Sequence, residues 1–264
     1  MSAIVTAGRP APTGIAGQAG IPFSRLLRAE LRKLTDTRAG KWLLIAMAAI
    51  TVLVVVVALF TAPARDLTYS NLVNYTQTPQ KLLLPVLGIL AVTSEWSQRT
   101  GLVTFTLAPN RGGVLLAKIT ATVILGLIVI AIAFAAAAAG NLAGLALRHG
   151  NGSWAFGAAG FRDITLVQLT GVIQGIAFGA LLLISAAAIV AYYAQNLWTV
   201  LLASVSALKH SAPWIDLNSA QTPLYNHDMT GQGWAQLLVA AAIWVGIPLV
   251  LGTIRVRRGE IKSA

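Results

Sequence analysis

The side chains able to do chemistry in this sequence are few, and their types exclude more than they propose. Eight acids, three histidines and no cysteine occur in 264 residues. Disulfides and thiolate metal sites are therefore ruled out. His149, His210 and His227 all lie in polar stretches between apolar runs. The last two stand near Asp216 and Asp228, but at spacings that match no metal motif, so they read as loop histidines without partners and no metal site is expected. Proteolysis inside a bilayer needs a serine and a histidine within the apolar runs, and no histidine is there. The phosphate-binding pattern GxxxxGK followed by Ser or Thr is absent, so the chain does not hold ATP in the P-loop manner.

What remains is mild polarity inside the apolar runs and one polar stretch between them. Lys81 either faces a cavity, where an intramembrane cation would meet an anionic group, or snorkels to the surface. Gln168, Gln174, Tyr192, Gln195 and Asn196 either line a route for an amphipathic substrate or hydrogen-bond between helices. Gly171, Gly175 and Gly179, four residues apart on one helical face, allow a second helix to approach closely. The polar stretch is 95–118, EWSQRTGLVTFTLAPNRGGVLLAK, with one acid at its start, Arg99 and Arg111 within it, and Pro109-Asn110 to end a helix before the next apolar run.

The elements that must position these residues follow from composition. The chain is 56% hydrophobic and 10% charged, with a mean hydropathy of +0.74, whereas soluble domains are about a quarter charged. Its net charge of +11 sits at the ends of apolar runs, which marks the lipid bilayer rather than nucleic acid as its partner. An all-α membrane protein is expected, with six transmembrane helices over about 42–60, 74–94, 119–139, 164–184, 187–207 and 234–254. The run 164–208 carries no charge and is about twice one crossing, so it is read as two spans.

Residues 1–20, rich in Gly, Ala and Pro, read as a disordered cytoplasmic tail rather than a signal peptide. In 21–41, Phe23, Leu27, Leu31 and Leu34 recur at helical spacing opposite Arg25, Arg28, Arg32 and Lys33, which predicts an amphipathic helix along an anionic membrane surface. With six spans, fourteen of the nineteen Lys and Arg residues fall on the side of the two ends. That side is cytoplasmic by the positive-inside rule, as are 95–118 and the tail 255–264.

Three features together resemble the membrane-spanning permease subunits of type 2 ABC transporters. They are the basic ELRKLTDTR before the first span; Glu95-Trp96, Thr104 to Leu107, Pro109, Arg111 and Lys118 after the second; and the loop from Pro213-Trp214 to Asn218 before a last span closed by RVRRGEIK. The likeness covers nearly all the chain after residue 20.

It implies a coupling helix from Glu95 to about Thr106 that docks on a separate ATPase subunit through Glu95, Trp96, Arg99, Thr104 and Phe105. ATP and Mg would be bound by that partner and no cofactor by this chain, which is then not itself an enzyme. A second permease subunit, identical or related, would complete the substrate path of a plasma-membrane exporter. An ion-coupled carrier and a non-transporting scaffold or immunity protein are the rival expectations.

Overall fold

The computed structural model describes residues 21–97 and 111–258, and the described residues form a helical membrane protein without strands. Five helices are long and apolar enough to cross a membrane.

Helix α1, Phe23–Asp36, ends where Thr37 turns extended (ψ 144°), and Thr37 Oγ1 accepts from the Gly40 amide at 3.3 Å to start α2, Arg38–Thr61. The elbow is tight. A Cβ built on Gly40 would stand 2.0 Å from the Leu34 carbonyl oxygen, so only glycine lets α2 leave α1 there. The apolar stripe of α1 turns toward the bundle: Leu34 is buried with Leu87, Ala91, Ala121 and Leu125, and Leu27 and Leu31 pack beside them. Arg25, Arg28 and Arg32 are exposed on its other side.

Along α2, Met47, Thr51, Val55 and Ala58 recur every three or four residues and are buried, while Val52, Leu53, Val56, Val57 and Phe60 are exposed. This is one helix with a protein face and a lipid face.

The helix α3, Tyr69–Ser97, is not among the five apolar ones, although its 29 residues exceed the ~20 needed to cross the hydrocarbon. It is central, packed by α2, by α4 (Arg111–Arg148), by α5 (Gly157–Leu182) and by α6 (Ser185–Ser204). A helix surrounded by protein can carry Thr76, Gln77 and Gln80 buried in its body without exposing them to lipid. Lys81, expected near the outer edge, is the thirteenth residue of α3 and so lies near its middle.

Glycines set a close contact between α3 and α5. A Cβ on Gly175 would lie 2.1 Å from the Pro85 carbonyl oxygen, and one on Gly88 would lie 2.4 Å from that of Val172. The α3 and α5 backbones therefore touch. Gly179 faces Ile89, with 3.1 Å to its carbonyl oxygen, whereas Gly171 meets the Pro85 ring at an ordinary 3.4 Å.

Two boundaries differ from the sequence reading. Residues 111–118, expected in a polar connection, are the first turns of the 38-residue α4. They are helical because nothing between Arg111 and Lys118 breaks a helix beyond paired glycines, and Val114, Leu115, Ala117 and Lys118 are buried against the bundle. The turn in the long uncharged run lies at Leu183-Ile184, where Leu183 takes a left-handed conformation (φ 59°) and its amide bonds back to Gly179 at 2.9 Å.

The stretch before the last span also departs from an exposed polar loop. It folds into α7, Ala212–Ile215, and α8, Leu217–Asn226. Asp216, fully buried, caps α8 by accepting from the Ser219 amide (2.8 Å), the Ser219 hydroxyl (2.7 Å) and Thr199 Oγ1 (2.9 Å). Leu217, Ala220 and Leu224 bury one face of α8. The chain then runs through α9, Gly231–Ala241, a π turn at Ala242–Gly246 and α10, Ile247–Arg258. Within the π turn, Trp244 donates its indole N–H to the Ile215 carbonyl at 2.7 Å.

Candidate functional site

The end of α3, the start of α4 and the middle of α1 meet in a buried cluster of four charges. Lys33 Nζ bonds Glu30 Oε1 at 2.8 Å and Glu95 Oε1 at 2.6 Å; Lys118 Nζ bonds Glu30 Oε2 at 2.7 Å and Glu95 Oε1 at 3.0 Å. Two ammonium groups thus alternate with two carboxylates. Glu30, Glu95 and Lys118 are each 5% exposed or less, and Lys33 forms the outer edge. Burial of Lys33 disfavours its charge, but the hydrogen bonds it donates to Glu30 and Glu95, with their negative charge, outweigh this and leave its pKa raised.

Glu95 is thus buried, its carboxylate held by Lys33 and Lys118. Trp96 beside it is half-buried. Arg99, Thr104 and Phe105 lie outside the described residues.

The second end of the connection is also tied down. Arg111 donates from Nη1 to the carbonyls of Val256 (3.3 Å) and Arg257 (3.2 Å), at the end of α10. A cation on terminal helix carbonyls is favourable because those acceptors have no intrahelical donor. Arg255, in the same turn, reaches the Leu181 carbonyl at the end of α5. Residues 98–110 are thus bracketed by side chains that join α1, α3, α4 and α10.

The polar residues read from the apolar runs fall into pairs. Gln174 donates from Nε2 to Gln195 Oε1, both buried. Gln168 donates to the Gln77 carbonyl at 3.2 Å and to Gln77 Oε1. The Tyr193 hydroxyl donates to the Leu82 carbonyl, and the Tyr192 ring stacks edge-on against Tyr193 at 5.2 Å. The side chain of Asn196 lies outside the described residues.

Lys81 stands apart from these pairs. It lines a cavity of about 460 Å³ with Asn74, Gln77, Gln168 and Tyr225, its ammonium 5.1 Å from the centre of the Tyr225 ring.

At the opposite end of the bundle, His227 does have a partner, against the sequence expectation. Its Nδ1 is 2.9 Å from Asp163 Oδ2, while Arg162 holds Asp163 Oδ1 at 2.7 Å. Phe156 and Phe161 pack around this group. Among the described residues no group of three or more acids and histidines could hold a metal.

Sequence reasoning missed the four-charge cluster as a unit, although one signal was present. Glu30 sits three residues after Leu27 and four before Leu34, on the apolar stripe of α1, where an acid needs a buried cation. Nothing in the spacing pointed to Lys118, 88 positions away. Comparison of the chain with protein-family models and with curated proteins gives no match.

Proposed function

We propose that the chain is the permease subunit of an ATP-driven ABC exporter, coupled through the segment from Glu95 to about Thr106 to a separate ATPase subunit. In this reading α3 is the sixth membrane-crossing helix, and both termini are cytoplasmic. The exposed basic side of α1 meets the anionic membrane surface, and a second permease subunit completes the substrate path across the plasma membrane.

The observation that supports it best is the bracketing of 98–110. The four-charge cluster holds the α3 end and the α4 start to α1, and Arg111 holds the same end of α4 to α10. A push delivered to the connection would reach four helices at once rather than deforming a loose loop. Docking would then fall to Trp96, Arg99, Thr104 and Phe105, while Glu95 anchors the connection from within. ATP and Mg are bound by the partner, and coupling requires that its closed state favour one arrangement of the spans by a differential contact energy.

The test is purification of the full chain from its own membrane in mild detergent, followed by nucleotide hydrolysis of the purified material. An ATPase subunit is expected to copurify, and Arg99→Glu combined with Phe105→Ala should release it while the chain keeps its thermal stability. Retention of the ATPase by that variant would refute the docking role. Transport by the lone reconstituted chain under an ion gradient, without nucleotide, would establish the carrier reading instead.

A further inference from the structure

The cavity at the middle of α3 has the composition of an anion site. It is lined by Lys81, Asn74, Gln77 and Tyr225, and among the described residues no carboxylate lines it. Among the described residues Lys81 forms no ion pair; its only partner is the face of Tyr225. A cation halfway along a central membrane helix is costly without a counter-charge.

A second observation points the same way. Gln77, 7% exposed, lines the cavity, and its Nε2, itself shielded from solvent, has no hydrogen-bond partner. Gln168 occupies the Gln77 carbonyl oxygens, so the Gln77 N–H donors remain for something else. A buried donor left unmade is unfavourable by roughly 1–3 kcal/mol in general. The cation and the residue with the unmade donor thus share one lining that, among the described residues, supplies no negatively charged acceptor.

Size and walls narrow the occupant. About 460 Å³ lies in the range of sites for drug-sized molecules, far more than a phosphate ion fills. Ile164 and Val167 make one wall apolar. The geometry points to a binding site for an amphipathic molecule with a single anionic head, a carboxylate or phosphate, its head held by Lys81 and Gln77 and its apolar body against α5. Binding is a property of this chain alone and does not depend on an ATPase partner.

The test uses the full chain in phosphatidylcholine nanodiscs and the fluorescent fatty acid dansylaminoundecanoate, with empty nanodiscs as the blank. The probe should bind saturably and be displaced by dodecyl phosphate, but not by dodecanol or by inorganic phosphate alone. Lys81→Met should weaken binding by about ten- to a hundred-fold, as expected for loss of a charge-assisted hydrogen bond. Lys81→Arg should retain it, and Arg65→Gln, an exposed cation elsewhere, should leave it unchanged.

Gln77→Leu supplies an independent variant if Lys81→Met fails to fold, and should weaken binding about three- to ten-fold. Equal displacement by dodecanol and dodecyl phosphate would overturn the anionic head. Equal displacement by inorganic phosphate would overturn the amphipathic body. Unchanged affinity in both Lys81→Met and Gln77→Leu would overturn the site.

Discussion

Replacing Lys118 by methionine tests the four-charge cluster most directly. Lys118 lies between Glu30 Oε2 at 2.7 Å and Glu95 Oε1 at 3.0 Å, with both carboxylates at 5% exposure or less. The substitution keeps the length and apolar stem of the side chain and removes one of two cations, leaving two buried carboxylates to share Lys33. Removing one partner of a buried pair typically destabilises by ~3–5 kcal/mol, because the remaining charge stays desolvated. For a chain of this size that is a fall in Tm of roughly 6–20 °C.

The assay is thermal unfolding in detergent of the wild type, Lys118→Met, Glu30→Gln and the double variant. The double variant restores charge balance and leaves Lys33 with Glu95 at 2.6 Å. It should therefore melt above Lys118→Met, with a coupling of ~1–3 kcal/mol between the two sites. A Tm within about 2 °C of wild type for Lys118→Met, or a double variant no better than the single, would refute the claim that these charges hold α1 to the bundle.

Two further outcomes follow from particular contacts. Gly175→Ala places a methyl group 2.1 Å from the Pro85 carbonyl oxygen and should cost ~1–3 kcal/mol, whereas Gly171→Ala, at 3.4 Å from the Pro85 ring, should melt at or slightly above wild type. Equal behaviour of the two in thermal melts would mean that the α3 and α5 backbones do not touch. Because the pKa of Lys33 is raised on folding, its contribution is fully present below the unfolded lysine value of about 10.4 and is lost as pH rises through the folded value. Melts at pH 7–11.5 should show a constant Tm gap between wild type and Lys33→Met up to about pH 10, shrinking above it. Added salt should narrow the gap throughout, since Lys33 is 41% exposed.

The apolar runs 42–60, 119–139 and 234–254 are visible in the sequence because α2, α4 and the last helix present one face to lipid. Hydropathy reports that face directly. The α3 helix is harder to see for the opposite reason. Enclosed by α2, α4, α5 and α6, it answers to protein rather than lipid, so its polar residues break the apolar run that a span was expected to show.

In the short α8 an apolar stripe at Leu217, Ala220 and Leu224 was available, but it is masked by Asn218, Ser219 and Thr222 on the other faces. Periodicity names a buried face without naming what covers it. That is why the lysine partners of Glu95 were not legible, and why Gln168 and Gln77, 91 positions apart, could not be paired in advance. The Asp163 and His227 pair was hidden for the same reason, being separated by 64 positions.

The unbroken length of α4 has a mechanical consequence. Thirty-eight residues make a rod of about 57 Å against a hydrocarbon thickness of about 30 Å. If it pivots as a stiff lever near its midpoint, a tilt of only about 10° sweeps each tip through about 5 Å. Lys118 rides one arm, close to the tip that carries Arg111, and Arg148 terminates the other. A rotation applied near Arg111 would thereby displace the Arg148 end by a comparable distance.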